Sequence, residues 1–316
     1  MTGEATVVKN AGSHFMLSLL PEWNPFPAVL KGRVRLKSSE ATNPVAVGDR
    51  VRFETDMDDA ADITLTHPAL ITEVLDRKNY VIRKSTNLSR QSHVIAANID
   101  MAFAVVTLYF PEIKLPFLDR MLVTCEVYGV PVTVVMNKVD LYGKEAPEAV
   151  DNFINIYTKA GYRVVQASAK TGEGIDGLRS ICDGKVCLFS GESGVGKSSL
   201  IKALDPSLDP KIGKISIAHL QGKHTTSLYE MYRLASGGAV IDTPGLRGFG
   251  LVNLEKGEIA SYFPEMLKAA EHCRFTPCTH THEPGCAVKD AVENGEISPE
   301  RYSSYLGMIE EDKKFR

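Results

Sequence analysis

The segment from Gly191 to Ser199 limits what this chain can fold into more than any other stretch. It reads Gly191, Glu192, Ser193, Gly194, Val195, Gly196, Lys197, Ser198, Ser199 and matches G-x-x-x-x-G-K-[ST] in full. With glycine at about 7% of residues, a chance match in a chain of this length has a probability of roughly 1%. Lys185 to Phe189 reads as a strand before the loop, and an apolar helix follows it. In that context the glycines let backbone N–H groups close around phosphate oxygens, and the helix start adds a favourable dipole. Lys197 is expected to reach the β- and γ-phosphates, and the Ser198 hydroxyl to bind Mg²⁺. Such a loop belongs to a parallel sheet with helices on both faces.

The surrounding texture agrees. From residue 100 onward, apolar β-branched runs alternate with helical patterns: a strand within 100–109, a helix over 118–128, a strand over 132–136, a helix over 147–160, a strand over 163–167 and a helix over 175–181. Two further strands, 227–234 and 239–242, flank Ser236-Gly237-Gly238, which reads as a hairpin.

Two short motifs sit at predicted strand ends, where nucleotides bind such sheets. Asn137-Lys138-Val139-Asp140 follows the strand over 132–136. Guanine offers two donors, N1–H and the 2-amino group, and the Asp140 carboxylate can accept both. Adenine would leave that carboxylate unpaired, and sites of this kind reject the wrong partner by about 10⁴-fold. Ser168-Ala169-Lys170 follows the next strand, and the Ala169 N–H can donate to guanine O6. Asp242-Thr243-Pro244-Gly245 ends the strand over 239–242. Its carboxylate can hold Mg²⁺ through water, and the Gly245 N–H can meet the γ-phosphate. Between the phosphate loop and this turn lies Gly222-Lys223-His224-Thr225-Thr226. The spacing supports either Thr225 or Thr226 as the residue that completes the Mg²⁺ shell, with Thr226 preferred. GTP or GDP with Mg²⁺ is the expected ligand.

The order of these pieces is itself a finding. Ras-like GTPases run phosphate loop, switch threonine, D-x-x-G, N-K-x-D, S-A-K. Here the last two come first, which makes the core circularly permuted. The switch after Asp242 then abuts the C-terminal segment, so γ-phosphate occupancy can be transmitted there by ordering one short loop.

Residues 1–85 read as a small β-barrel. Strand-like runs near 5–8, 32–36, 49–53, 62–66, 69–74 and 80–83 are separated by turn formers, which suggests an OB-type or an SH3-like barrel. At the other end, Cys273, Cys278, His280 and Cys286 form a closed Zn²⁺ set of three thiolates and one imidazole, with His272 and His282 as alternative nitrogen donors. Four protein ligands leave no open position, so the metal is expected to be structural. Cys125, Cys182 and Cys187 read as small buried hydrophobes. The chain contains 36 basic and 39 acidic side chains, a formal net charge of −3, so any RNA contact must come from a local basic face. Arg77, Lys78, Arg83, Lys84 and Arg90 are candidates for it, and Trp23 either stacks on a base or anchors a loop. No apolar run approaches the ~18 residues of a membrane span, and no signal pattern opens the chain, so the expected location is the cytoplasm.

At this point the whole chain resembles the ribosome small-subunit-dependent GTPases, the RsgA family, also called YjeQ or YloQ. The similarity covers the barrel region, the segment 95–100, the permuted motifs and the Cys273 to Cys286 cluster. It implies a multi-domain α/β protein: an N-terminal OB-type barrel (1–85) that binds RNA, a permuted GTPase domain (86–250) and a C-terminal helical zinc-binding domain (251–316). It also implies a monomer that acts in late maturation of the small ribosomal subunit, with rRNA as partner and the subunit stimulating hydrolysis. One departure is visible. The family usually has Arg before the switch histidine, where this chain has Lys223, which keeps the charge but loses the planar fork.

Ras-like enzymes orient the attacking water with a glutamine just after D-x-x-G. Here that position is Leu246, which cannot hydrogen-bond water, so unaided hydrolysis should be slow. His224 is the nearest polar candidate in the switch, and the resemblance points to it as well. Lys197 supplies electrostatic stabilisation of the transferring phosphoryl group. Two other classes fit parts of this pattern. A GTP-gated binding module with negligible turnover would carry the same motifs, and a small-molecule P-loop kinase would lack Asn137 to Asp140.

Overall fold

The computed structural model describes residues 1–35, 44–84, 92–208, 229–243 and 254–311. It begins with five strands, β1 (Thr2–Asn10), β2 (His14–Ser18), β3 (Phe26–Arg35), β4 (Arg50–Glu54) and β5 (Ala69–Val74). They run in the order β1-β2-β3-β5-β4, and β4 pairs back onto β1, so the sheet closes into a five-stranded OB-like barrel. Alternate residues fill it: Ala5 and Val7, Phe15 and Leu17, Val51 and Phe53, and Ala69 and Ile71 all point into one apolar core.

Two of the strands expected from sequence are absent from the barrel. Residues 62–66 alternate like a strand, but Asp59 Oδ1 accepts the Ala61 N–H and caps a 3₁₀ turn over Ala60–Asp62. Leu65 is 77% exposed, so the alternation there has no second face to cover. The other is β6 (Tyr80–Lys84), which forms a separate ladder with β7 (Ser92–Ala97). Part of the segment 95–100 is therefore a strand. Val94, Ile95, Ala96 and Ala97 are all buried, which keeps this stretch from running free as a connection.

The α/β region follows: β8 (Met101–Val106), α1 (Leu115–Val127), β9 (Val132–Met136), α2 (Val139–Tyr142), α3 (Pro147–Lys159), β10 (Arg163–Gln166), α4 (Ile175–Cys182), β11 (Val186–Ser190), α5 (Lys197–Leu204), β12 (Tyr229–Arg233) and β13 (Ala239–Asp242). Strands β10, β9, β8, β11 and β13 are parallel neighbours, and β12 is antiparallel to β13. The near-continuous apolar composition of β8 fits a strand covered on both faces. Ala102, Ala104 and Val106 face one core with α1 and α3, while Phe103 and Val105 face another with α4 and α5.

Strand β12 also pairs with β1, through Lys9 opposite Glu230 and Asn10 opposite Tyr229, so barrel and α/β sheet form one continuous sheet. The chain ends in α6 (Pro264–Ala270), α7 (Ala287–Glu293) and α8 (Pro299–Glu311), preceded by a 3₁₀ segment, Lys256–Tyr262. Their core holds Phe263, Met266, Val288 and Tyr305, together with Val123 contributed by α1.

Candidate guanine-nucleotide and zinc sites

The parallel strands β8, β9, β10, β11 and β13 end on one edge of the sheet, and the sequence motifs converge there. The loop after β11 requires its glycines. Gly191, Gly194 and Gly196 have φ of 154°, 86° and 93°. A Cβ on Gly191 would lie 2.2 Å from the Val105 carbonyl oxygen, and one on Gly196 would lie 2.4 Å from Asn137 Nδ2. The loop therefore makes a cradle that side chains would fill. Lys197 starts α5, is 7% exposed, and donates from Nζ to the carbonyls of Gly191 (2.9 Å) and Glu192 (2.8 Å). Burial lowers its pKa, opposed by the nearby Asp242 and Glu192 charges. Such a cation favours an anion arriving in the cradle.

Asn137 is buried and ties three loops together. Its Nδ2 donates to the Val195 carbonyl at 2.8 Å, and its Oδ1 accepts the Ala169 N–H at 3.3 Å. Lys138 has a left-handed backbone, φ 63°, a conformation that costs energy for a residue with a Cβ and clusters at ligand sites. Its Nζ reaches the carbonyls of Gly194 (2.7 Å) and Phe110 (2.6 Å). Val139 is buried beneath the loop. Asp140 is exposed, and the Ser168 hydroxyl donates to its Oδ1 at 2.7 Å. The fixed carboxylate has its remaining acceptor capacity for paired donors such as those of guanine. Ser168 is buried, Ala169 half-buried and Lys170 exposed.

The groups that could hold a metal lie beside Lys197. Ser198 Oγ donates to Asp242 Oδ2 at 3.1 Å, while Asp242 Oδ1 is buried with no hydrogen-bond partner. Burial raises the Asp242 pKa, opposed by Ser198 and Lys197. A buried carboxylate oxygen without a partner is costly, and a hydrated Mg²⁺ held between Ser198 and Asp242 would satisfy it. Ser193 and Ser199 are exposed and Glu192 is half-buried. His224, Thr225, Thr226, Gly245 and Leu246 lie outside the described residues.

Cys273, Cys278, His280 and Cys286 converge, with all four candidate ligand atoms within 4.8 Å of one another. His280 Nδ1 is 3.6 Å from Cys273 Sγ and 3.4 Å from Cys286 Sγ, and the two sulfurs are 4.0 Å apart. A tetrahedral Zn²⁺ at ordinary bond lengths requires edges of about 3.5 Å for N···S and about 3.8 Å for S···S. The donor set therefore fits zinc, with Nδ1 as the nitrogen ligand. His272 and His282 are not in the cluster.

Sequence reasoning missed the supports. Phe110 offers its carbonyl to Lys138. Lys114 pairs with Glu192 of the phosphate loop at 3.2 Å. Glu283 accepts from Thr279 Oγ1 (2.6 Å) and from the N–H groups of Thr279, Thr281 and His282, which orders the zinc loop. None belongs to a spaced motif, so no sequence signal marks them.

The expected RNA contacts fare unevenly. Arg77 grips the buried Asp49 through two bonds of 2.7 and 2.8 Å and so serves the fold, whereas Lys78 is exposed and pairs with Asp100 at the surface. The side chains of Arg83, Lys84 and Arg90 lie outside the described residues. Trp23 is half-buried against the core with φ 60°, and its N–H donates to the Leu19 carbonyl, which fits the loop anchor.

A phosphate cradle on β11, a guanine-type acceptor on β9 and a carboxylate on β13, threaded in permuted order, define a circularly permuted P-loop GTPase. The profile of the RsgA GTPase family matches residues 74–252. The chain is 46% identical over 312 residues to small ribosomal subunit biogenesis GTPase RsgA 2 of Bacteroides thetaiotaomicron, covering 98% of each chain. It is 44% identical to the RsgA of Porphyromonas gingivalis, covering 99% of this chain and 98% of that one. Among solved structures it is similar to YjeQ from Thermotoga maritima, with TM-score 0.76, 32% identity and 98% of each chain covered. It is also similar to YloQ, a circularly permuted GTPase, with TM-score 0.71, 26% identity, and coverage of 100% of this chain and 96% of that one. The chain belongs to the RsgA GTPase family. It is a GTP hydrolase, and the reading as a binding module without turnover is not favoured.

Proposed function

We propose that this protein binds the small ribosomal subunit and its rRNA, hydrolyses GTP to GDP and phosphate when the subunit stimulates it, and acts in the subunit's late maturation. The observation that carries the nucleotide reading is the bond from Asn137 Nδ2 to Val195, which holds the base-recognition loop against the phosphate loop. The relatives' printed names, which call them small ribosomal subunit biogenesis GTPases, support the partner.

In this reading Asn137, Lys138, Val139 and Asp140 with Ser168, Ala169 and Lys170 form the base site, and Asp140 accepts from guanine. Gly191, Glu192, Ser193, Gly194, Val195, Gly196, Lys197, Ser198 and Ser199 surround the phosphates. Ser198 and Thr226 would hold Mg²⁺, Asp242 would contribute through water, and the Gly245 N–H would meet the γ-phosphate. Mg²⁺ neutralises charge on the transferring phosphoryl group when bound. Lys197 stabilises the same charge from a preset position. His224 orients the attacking water, because Leu246 cannot. Cys273, Cys278, His280 and Cys286 hold one structural zinc.

The working division is an RNA-binding N-terminal region over 1–85, whose barrel strands end at Val74, a GTPase domain over 86–250 and a zinc domain over 251–316, in a cytoplasmic monomer. No helix among the described residues is long and apolar enough to cross a membrane. The test of the catalytic assignment is His224→Ala, which should abolish subunit-stimulated turnover and leave GTP affinity near normal. Unchanged stimulated turnover removes His224 from the mechanism.

A further inference from the structure

Helix α1 belongs to two cores at once. Leu118, Met121, Leu122 and Cys125 pack in the α/β core, while Val123 is buried in the core of the C-terminal helices and Val127 packs against it. Asp119, Val123 and Val127 are spaced i, i+4, i+8, so one stripe of α1 faces the zinc-bearing module.

At the head of that stripe lies a buried ion triad. Arg301 of α8 is 1% exposed, and its Nη1 donates to Asp119 Oδ1 at 2.8 Å. Its Nε and Nη2 donate to Glu265 Oε1 and Oε2 of α6 at 2.7 and 3.1 Å. The guanidinium lies against the ring of Phe263, 4.6 Å from its centroid, and Tyr157 of α3 donates its hydroxyl to Asp119 Oδ1 at 3.0 Å. Buried ion triads are commonly no more stabilising than apolar side chains of the same volume. What the planar fork adds is direction: it engages two carboxylates on two different helices and so fixes how α8 and α6 are turned on α1.

Both ends of this joint lead to functional loops. The two tyrosines that follow Arg301 on α8 hold the zinc loop, Tyr302 by donating to the His280 carbonyl (2.6 Å) and Tyr305 to that of Thr279 (2.7 Å). At the other end, Lys114, just before α1, pairs with Glu192. In the loop leading to α1, the Thr107 hydroxyl donates to the Pro111 carbonyl, and the Phe110 carbonyl receives Lys138. A continuous set of bonded contacts thus joins the zinc loop to the phosphate loop without using the turn after Asp242.

We propose that Arg301 is a positioning residue for stimulated GTP hydrolysis: it fixes the orientation of the zinc module on α1, so that engagement of that module by a partner reaches the phosphate loop. This rests on the reading that the small subunit stimulates turnover. An ion-free joint of nearly equal volume separates orientation from stability, so the informative variant is the full-length triple substitution Asp119→Ala, Glu265→Met, Arg301→Met. Arg301→Lys keeps the charge but loses the fork, and it serves if the triple variant does not fold.

Each variant is compared with the unsubstituted chain for zinc content, GTP affinity, basal turnover and turnover at saturating purified subunits. Zinc content, GTP affinity and basal turnover should stay within about twofold. Stimulated kcat should fall at least tenfold, within the ~5–150-fold range of ordinary site-to-site coupling, with little change in the half-saturating subunit concentration. A folded variant with full stimulated kcat overturns the proposal.

A second readout needs no ribosome. Spin labels attached by non-cysteine chemistry at the exposed Asn155 and Glu293 report the distance between the two cores. The distribution should be narrow in the unsubstituted chain and broader in the variants. An unchanged distribution overturns the joint. Failure of subunits to stimulate the unsubstituted chain overturns the functional reading alone.

Discussion

Replacing Gly196 by alanine adds one methyl group at the point where the phosphate and base loops meet. The backbone there has φ 93°, and the new Cβ would lie 2.4 Å from Asn137 Nδ2. Two costs follow. An L-residue held in left-handed backbone costs about 1–2 kcal/mol. The Asn137 amide must retreat and give up its bond to the Val195 carbonyl, a loss of about 0.5–1.5 kcal/mol. If the variant loop relaxes when empty, nucleotide binding must restore the cradle against a penalty of about 1.5–3.5 kcal/mol, which weakens GTP affinity roughly 10- to 300-fold. If the loop stays strained, the same energy appears as lost stability. The assay is a fluorescent guanine-nucleotide titration beside a denaturant melt, with Gly177→Ala as control. Gly177 lies within helix α4, and a Cβ there meets nothing within 4 Å, so the control should bind GTP normally. Refutation is simple to recognise: Gly196→Ala with both affinity and stability unchanged means the loops do not meet as described.

Three further outcomes follow from the same structure. Asp140→Asn replaces a two-acceptor carboxylate by an amide that donates on one side, so GTP affinity in competition titrations should fall roughly 100-fold, about 3 kcal/mol of charge-assisted hydrogen bonding. Cys286→Ser should lower zinc, read by mass spectrometry of the native chain, from about one ion toward none, because Cys286 is a buried member of the cluster. Asp205 accepts from Ser207 Oγ (2.6 Å), Ser207 N (3.0 Å) and Ala235 N (2.7 Å), and these bonds hold its pKa below the usual carboxylate value. A depressed folded pKa contributes stability above the unfolded value, near 3.9, which is lost as pH falls through the folded pKa. Asp205→Asn should therefore be less stable than the unsubstituted chain at pH 7, and the gap in urea midpoints should close below about pH 4.

The sequence made the nucleotide site legible because phosphate and base recognition depend on local backbone. Gly191, Gly196, Asn137 and Asp140 each lie in a short motif at a strand end, and each was found where the strand pattern put it. The convergence of Cys273, Cys278, His280 and Cys286 was legible because all four lie within fourteen residues, and His272 and His282 fall outside the cluster. The barrel was read less well. Residues 62–66 imitate a strand, since alternation alone does not reveal that Leu65 faces solvent. Strand β6 pairs instead with the next segment, β7, whose Val94, Ile95, Ala96 and Ala97 are all buried and show no alternation that would mark a strand. Arg77 read only as part of a basic stretch, because its partner Asp49 lies 28 positions away in sequence. The Asp119–Arg301 pair spans 182 positions, and an arginine inside a polar helix pattern gives no sign that it is buried.

The most direct measurement is hydrolysis of GTP and of ATP by the purified chain, each with and without purified small ribosomal subunits. If Asp140 selects the base and Leu246 leaves the water unoriented, as proposed, GTP alone is hydrolysed, slowly by itself and many-fold faster with subunits. Equal stimulation with ATP would contradict the base site. GTP bound tightly yet hydrolysed no faster with subunits would contradict the assignment of the small subunit as the partner that completes the active site.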